Sequence, residues 1–426
     1  MKKNFKIAAF AVLGVSVLGL AACGGNTNPP DNSGYEATYT EYSGTIAVSG
    51  PAEQAEWLTA RLNKLNELRE QNGVSKITFD VRSISEGNVD SEVADWSTGP
   101  DVYAYASDKV ANLYQKGALA EVRGDYKQFI KSTMNATALE AATFAGKTLA
   151  YPYAGDNGYF LMYDAKRVSA SDITSFDKLF AKAAELGEKV AYPLETSFFS
   201  AGALFTYGAR FNASYTETGS LEEITADFNT EKGLKAGKAI HSIVTNKNWT
   251  NTEAFPTKAN KVTAVVTGSW NVSAYQDAVE KAGGIFACAP IPTVTVDGDT
   301  RNVGSFLGYK LYGVNPQASQ GNQTRLAVAH EVAIFLADKD SQQARFDTFK
   351  VAPTNTEVAA NPTVQNTPHI KAIAEQAKYS VPQGAVPAGV WSAPETFVKG
   401  IEAGTITIEN MAAALETLNN TIITSN

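Results

Sequence analysis

From Thr45 onward the chain alternates short apolar runs with helical stripes. Thr45-Ile46-Ala47-Val48-Ser49 predicts a strand that ends at Gly50-Pro51. Trp57, Leu58, Leu62 and Leu65 share one helical face, and Asn72-Gly73 stops that helix. Ile77, Phe79 and Val81 alternate with polar neighbours, a second strand. Gly99-Pro100-Asp101 introduces a third, Val102-Tyr103-Ala104-Tyr105, and a helix is expected after Ser107-Asp108. Further on, Thr148 to Tyr153 and Tyr159 to Tyr163 read as two separate strands, and Val262 to Thr267 as a buried one. Ser220-Leu221-Glu222-Glu223 has capping-box spacing. Helical stripes follow at Ala236, Ala239, Ile240 and Ile243, at Val328, Val332 and Phe335, and at Ile408, Met411, Leu415, Leu418 and Ile422. Strands alternating with helices predict an α/β fold with a largely parallel sheet. Residues 44–426 carry no internal repeat and no long linker, which fits two lobes built from interleaved segments.

The region before Thr45 has a different pattern. Lys2, Lys3 and Lys6 precede an uncharged apolar run from Ile7 to Leu20, too short to span a bilayer comfortably. That run reads as the core of an export signal over residues 1–22. Its ending, Leu20-Ala21-Ala22-Cys23, resembles the lipobox of bacterial lipoproteins. The resemblance implies cleavage before Cys23 and acylation of that cysteine, which anchors the protein to the cell membrane from outside. An ordinary secretory signal followed by a chance cysteine is the alternative. Residues 23–43, rich in Gly, Pro and Asn, read as a flexible tether.

Hydrophobic residues make up 44% of the chain, enough for real cores. Net charge is −8, and loss of the three signal lysines would take it to −11, which argues against nucleic acid as a partner. Cys288 is the one cysteine besides Cys23 and reads as a small apolar residue on a buried strand. The three histidines, His241, His330 and His369, are scattered, and no zinc spacing occurs. No cofactor is called for, and a monomer is expected.

At this point the chain resembles the extracellular solute-binding proteins of ABC transporters, closest to the maltose/maltodextrin-binding type. The resemblance spans nearly all of residues 44–426 and rests on ordered landmarks. These are Gly99-Pro100-Asp101-Val102, Gly117-Ala118-Leu119-Ala120-Glu121, Gly146-Lys147-Thr148-Leu149-Ala150-Tyr151-Pro152, Met162-Tyr163-Asp164, Ala264-Val265-Val266-Thr267-Gly268-Ser269-Trp270 and Ala333-Ile334-Phe335-Leu336-Ala337. It implies the two-lobe periplasmic-binding-protein fold: two α/β lobes, joined by hinge strands, that clamp a ligand between them. Carried over, residues 44–154 and 300–350 form the N-lobe, and residues 155–299 and 351–426 form the C-lobe.

A sugar needs charged partners for its hydroxyls and aromatic faces for its C–H surfaces. The resemblance supplies candidates for both. Tyr105 would stack, and Asp108 would accept from hydroxyls or simply cap a helix. Lys109 stands where the family carries arginine and loses its planar two-pronged donor. Asp156 matches a family glutamate, with Asn157 sharing its role; Gly155-Asp156-Asn157-Gly158 also reads as a plain turn. Glu195 and Phe198 align with a segment holding an acid and a stacking ring, core packing being the alternative for Phe198. Trp270, just past a buried strand, matches a platform tryptophan, against the alternative of a core tryptophan. Trp391 matches the family's other aromatic loop residue, whereas Trp57 and Trp96 read as structural. After the first strand the expected polar and charged loop is missing, replaced by Ser49-Gly50-Pro51 and then Glu53.

The resemblance therefore implies a substrate-binding lipoprotein that delivers an oligosaccharide of maltodextrin type to the permease subunits of an ABC importer. Two rival readings stand beside it. One is a lipid-anchored glycoside hydrolase, although no G-x-S-x-G, H-E-x-x-H or P-loop motif occurs. The other is a binding protein for a non-sugar solute.

Overall fold

The computed structural model describes residues 39–425, the side chain of Asp156 excepted. Cys23, the expected signal and most of the expected tether lie outside the described residues. Ten strands form one sheet. They are β1 (Thr45–Gly50), β2 (Thr78–Ser83), β3 (Val102–Ala106), β4 (Ala150–Asp164), β5 (Lys189–Ala191), β6 (Trp249–Thr250), β7 (Val262–Gly268), β8 (Phe286–Ala289), β9 (Ser305–Val314) and β10 (Ser380–Pro382). The spatial order is β6-β5-β7-β4-β9-β3-β1-β2, with β8 added on β4 and β10 on β9.

Pairing is parallel within each half of the sheet, as the β/α alternation predicts. It is antiparallel where β4 and β9 run from one half to the other. The sheet is therefore mixed, because its two longest strands serve both halves. The first half of β4 pairs with β9, and the second half pairs with β7 and β8.

Each half has its own core. In the N-terminal half, Ile46 and Val48 of β1 meet Leu58, Leu62 and Leu65 of α1 (Ala55–Gln71) and Val328 and Val332 of a later helix. In the other half, Leu161, Phe199, Ile240, Val266 and Leu415 are buried together. The first core is fixed by a carboxylate. Asp101 accepts from the Ala47 N–H at 2.8 Å and takes Arg325 in a two-pronged pair at 2.7 and 2.9 Å. The Gly99-Pro100-Asp101 landmark is thus a structural pin between β1, β3 and the helix bearing Arg325.

Four sequence expectations change. Gly155-Asp156-Asn157-Gly158 is no turn but the middle of β4, because Asn157 and Gly158 pair with Gly308 and Leu307 of β9. Ser220-Leu221-Glu222-Glu223 starts no helix. It leads into the second strand of a hairpin, Phe211–Tyr215 with Leu221–Ala226, turned by Gly219 at φ 84°. Cys288 is half-buried on β8, not enclosed. Finally, residues 39–43 are not free tether: the Thr40 N–H donates to Glu331, and Arg69 donates to the Thr40 and Tyr42 carbonyls.

Candidate ligand-binding cleft

The site forms beside the end of β3, where β4 and β9 cross between the two halves. At the end of β3, a tight turn over Ser107–Lys109 places two charges side by side. The turn is held from behind, because the Ser107 hydroxyl donates to the Gln383 carbonyl at 2.6 Å and accepts the Tyr309 N–H at 3.1 Å. Lys109 Nζ lies 3.5 Å from Asp108 and 3.8 Å from Asp90. Burial pushes the Asp108 carboxyl up to about 6, a rise that Lys109 and Lys310 oppose only in part.

Asn157 sits on β4 and donates to Gln383 Oε1 at 2.6 Å. This pair is possible because Gly308 faces it without a side chain: a Cβ there would fall 2.4 Å from Gln383 Oε1. On β9, Lys310 reaches Glu86 at 2.6 Å. Glu86 also accepts from Tyr153, and although burial disfavours its charge, these partners hold its carboxyl below the usual range.

Three aromatic rings complete the lining. Phe198 belongs to α2 (Ser197–Leu204) and lies nearly parallel to the buried Phe306 ring at 5.8 Å. Trp391 leans on the same Phe306 at 5.6 Å, and Trp270 approaches Phe198 at 6.0 Å. Trp270 follows β7 in a one-turn helix, Ser269–Asn271. Asn271 donates to Glu253 and Thr267, each at 2.9 Å, which fixes this turn. Gly268 leaves room for the ring in this position, since a Cβ on it would fall 2.0 Å from the Trp270 ring. The ring is 51% exposed, so it is no core tryptophan.

The cavity between these groups measures about 300 Å³. It gathers Asp108, Lys109, Asn157, Phe198, Trp270 and Trp391, six of the side chains singled out in the sequence, and adds Gly87, Ala106, Lys310 and Gln383. Two expected residues lie elsewhere. Tyr105 is fully buried beside Tyr103 at 5.8 Å, so its ring has no face on the cavity. Glu195 is drawn to Glu402, and burial together with that neighbour raises its carboxyl above its ordinary value. The Asp156 side chain lies outside what is described. Lys310 had a legible signal, being the only charge in the strand Ser305–Val314. Gln383 had none.

Two α/β halves that share β4 and β9, with a cavity lined by rings and paired charges at the crossing, define a cleft-type binding architecture. The chain belongs to the bacterial extracellular solute-binding protein family, which it matches over residues 65–372. A galactooligosaccharide-binding protein of Bacillus subtilis (strain 168) is 21% identical over 326 residues, covering 72% of this chain and 73% of the relative. A maltodextrin-binding protein from L. casei BL23, solved without ligand, superposes with a TM-score of 0.77 at 22% identity, covering 90% of this chain and 100% of that one. A structure determined with acarbose reaches 0.76 at 26% identity, covering 90% and 99%. The two-lobe fold inferred from the landmarks is thus the fold of the chain.

Proposed function

We propose that this protein is an extracytoplasmic binding protein that captures an oligosaccharide in the cleft and hands it to an ABC importer. The observation that carries this reading is the half-exposed Trp270 ring, held with Phe198 and Trp391 beside Asp108, Lys109 and Asn157. Rings of this kind stack on sugar C–H faces, and the paired charges serve hydroxyls as acceptor and donor. The relatives named for galactooligosaccharide and maltodextrin support the same class, and of the two we assign maltodextrin. Closure of the lobes about β4 and β9 would present the loaded form to the permease. Cys23 would carry the lipid anchor; among the described residues no helix is long and apolar enough to cross a membrane. The solute-binding family and the relatives named as binding proteins support a binder and not an enzyme.

A thermal-shift screen with saccharides, amino acids and polyamines tests this reading. Saccharide at a hundred times its dissociation constant is expected to add about 2.7 kcal/mol of stability. Stabilisation by an amino acid or polyamine alone would refute it.

Asp108 makes the affinity depend on pH. A hydroxyl donates best to the ionised carboxylate, so affinity is expected to fall as pH drops through about 6. Asp108→Asn should bind weakly and lack that fall. Stability responds with the opposite sign. A carboxyl whose folded value lies above its unfolded one takes up a proton on folding, so its contribution is full below about 4 and lost as pH rises through about 6. Calorimetric titrations and melting curves of both proteins at about pH 5 and 7 check the two trends.

A further inference from the structure

Two buried amides in the cleft have hydrogen-bonding capacity to spare. Asn157 on β4 and Gln383, just past β10, are 8% and 5% exposed, and both line the cavity. Asn157 Nδ2 donates to Gln383 Oε1 at 2.6 Å. Among the described residues, Asn157 Oδ1 and Gln383 Nε2 have no partner. A polar group this deep is costly to leave unpaired, so its natural partner is whatever fills the cavity.

The pair is held in place from behind. The Gln383 N–H donates to the Leu307 carbonyl of β9 at 2.8 Å, and its own carbonyl accepts from the Ser107 hydroxyl at 2.6 Å. Its backbone is therefore fixed between β9 and the turn that carries Asp108. Gly308 gives both amides their room, since a Cβ there would fall 2.4 Å from Gln383 Oε1 and 2.9 Å from Asn157 Nδ2. The outcome is one open acceptor beside one open donor. Exchanging the roles of the two amides leaves the same couple.

A hydroxyl matches such a couple, because it gives its proton to the acceptor and takes one from the donor. A carboxylate can only accept, an ammonium can only donate, and a C–H does neither, so each leaves at least one amide unpaired. We propose that Gln383 is a specificity-determining residue, which with Asn157 selects a neutral sugar hydroxyl over a deoxy, acidic or amino group at the same position. This rests on the saccharide reading above. The couple carries no charge, so its contribution does not follow pH as that of Asp108 does.

Calorimetric titration of maltose and galactobiose, and of their monodeoxy derivatives, into wild type and Gln383→Met tests it. Wild type is expected to bind one derivative about tenfold more weakly than its parent, the one lacking the hydroxyl that meets the couple. Gln383→Met should bind the parent about tenfold more weakly and no longer distinguish that derivative. Its loss should be the same at about pH 5 and 7, with the Asp108-dependent fall kept. Asn157→Leu should behave alike, and the double variant should be little weaker than either, because the two amides act as a unit. Melting temperatures serve as the control for folding. Gly308→Ala, which keeps both amides and forces them apart, should show the same loss and covers the case in which Gln383→Met does not fold. Gln383→Met with wild-type affinity, or with its discrimination intact, overturns the proposal, as does a wild type that binds every derivative like its parent. A wild type that binds neither disaccharide nor any longer maltodextrin or galactooligosaccharide overturns the saccharide reading itself, before Gln383 enters.

Discussion

Glu331→Gln is expected to destabilise the protein by about 3–5 kcal/mol, the cost of leaving a buried charge without its partner. Arg69 and Glu331 form a pair whose side chains are 0% and 4% exposed. Arg69 also donates to the carbonyls of Ser75, Thr40 and Tyr42, so it cannot swing out to water when its carboxylate is removed. Glu331 in turn accepts the Thr40 N–H at 3.0 Å. The variant should therefore also loosen residues 39–43, which this cluster fastens to the N-terminal core. The pair as a whole is a modest source of stability: burial keeps the Glu331 carboxyl above its ordinary value despite Arg69. Replacing both partners, Arg69→Met with Glu331→Leu, should thus recover most of the loss. Urea unfolding of the single and double variants measures both effects, and a single variant within about 1 kcal/mol of wild type would contradict the assignment.

Trp270→Ala should weaken saccharide binding by about 1–3 kcal/mol, roughly ten- to a hundredfold in dissociation constant. Its ring is half in solvent and rests on Phe198 at 6.0 Å, so its removal leaves no closed cavity. Stability should change by less than about 1 kcal/mol, against the roughly 3–5 kcal/mol that truncating a core tryptophan costs. Titration beside a melting curve separates the two. Normal affinity in Trp270→Ala would remove the residue from the site.

The local period of apolar residues carried much of the fold. β1, α1, β2, β3 and β7 stand where the alternation and its stop signals put them. Local turn chemistry failed where distant pairing overrode it. Gly155-Asp156-Asn157-Gly158 is rich in turn formers, yet β9 supplies a partner strand and the segment extends through it. In the site, Trp270 was singled out because it closes an ordered landmark, and Trp391 because its loop resembles the one that carries the family's other aromatic. Tyr105 was misplaced for a physical reason: all five residues of β3 are buried, so alternation cannot tell the cleft side from the core side. Lys310 could have been found as a lone charge in an apolar strand. Gln383 reaches Asn157 from 226 residues away, and nothing local marks it.

The central claim is that a saccharide lies in the cleft against Trp270 and the Asp108 turn. A crystal structure with the saccharide that gives the largest thermal shift tests this most directly. It should show a sugar ring packed on the Trp270 face, with Asp108 and Asn157 within about 2.7–3.2 Å of its hydroxyls. A saccharide bound elsewhere on the protein, leaving Trp270 and Asp108 untouched, would contradict it.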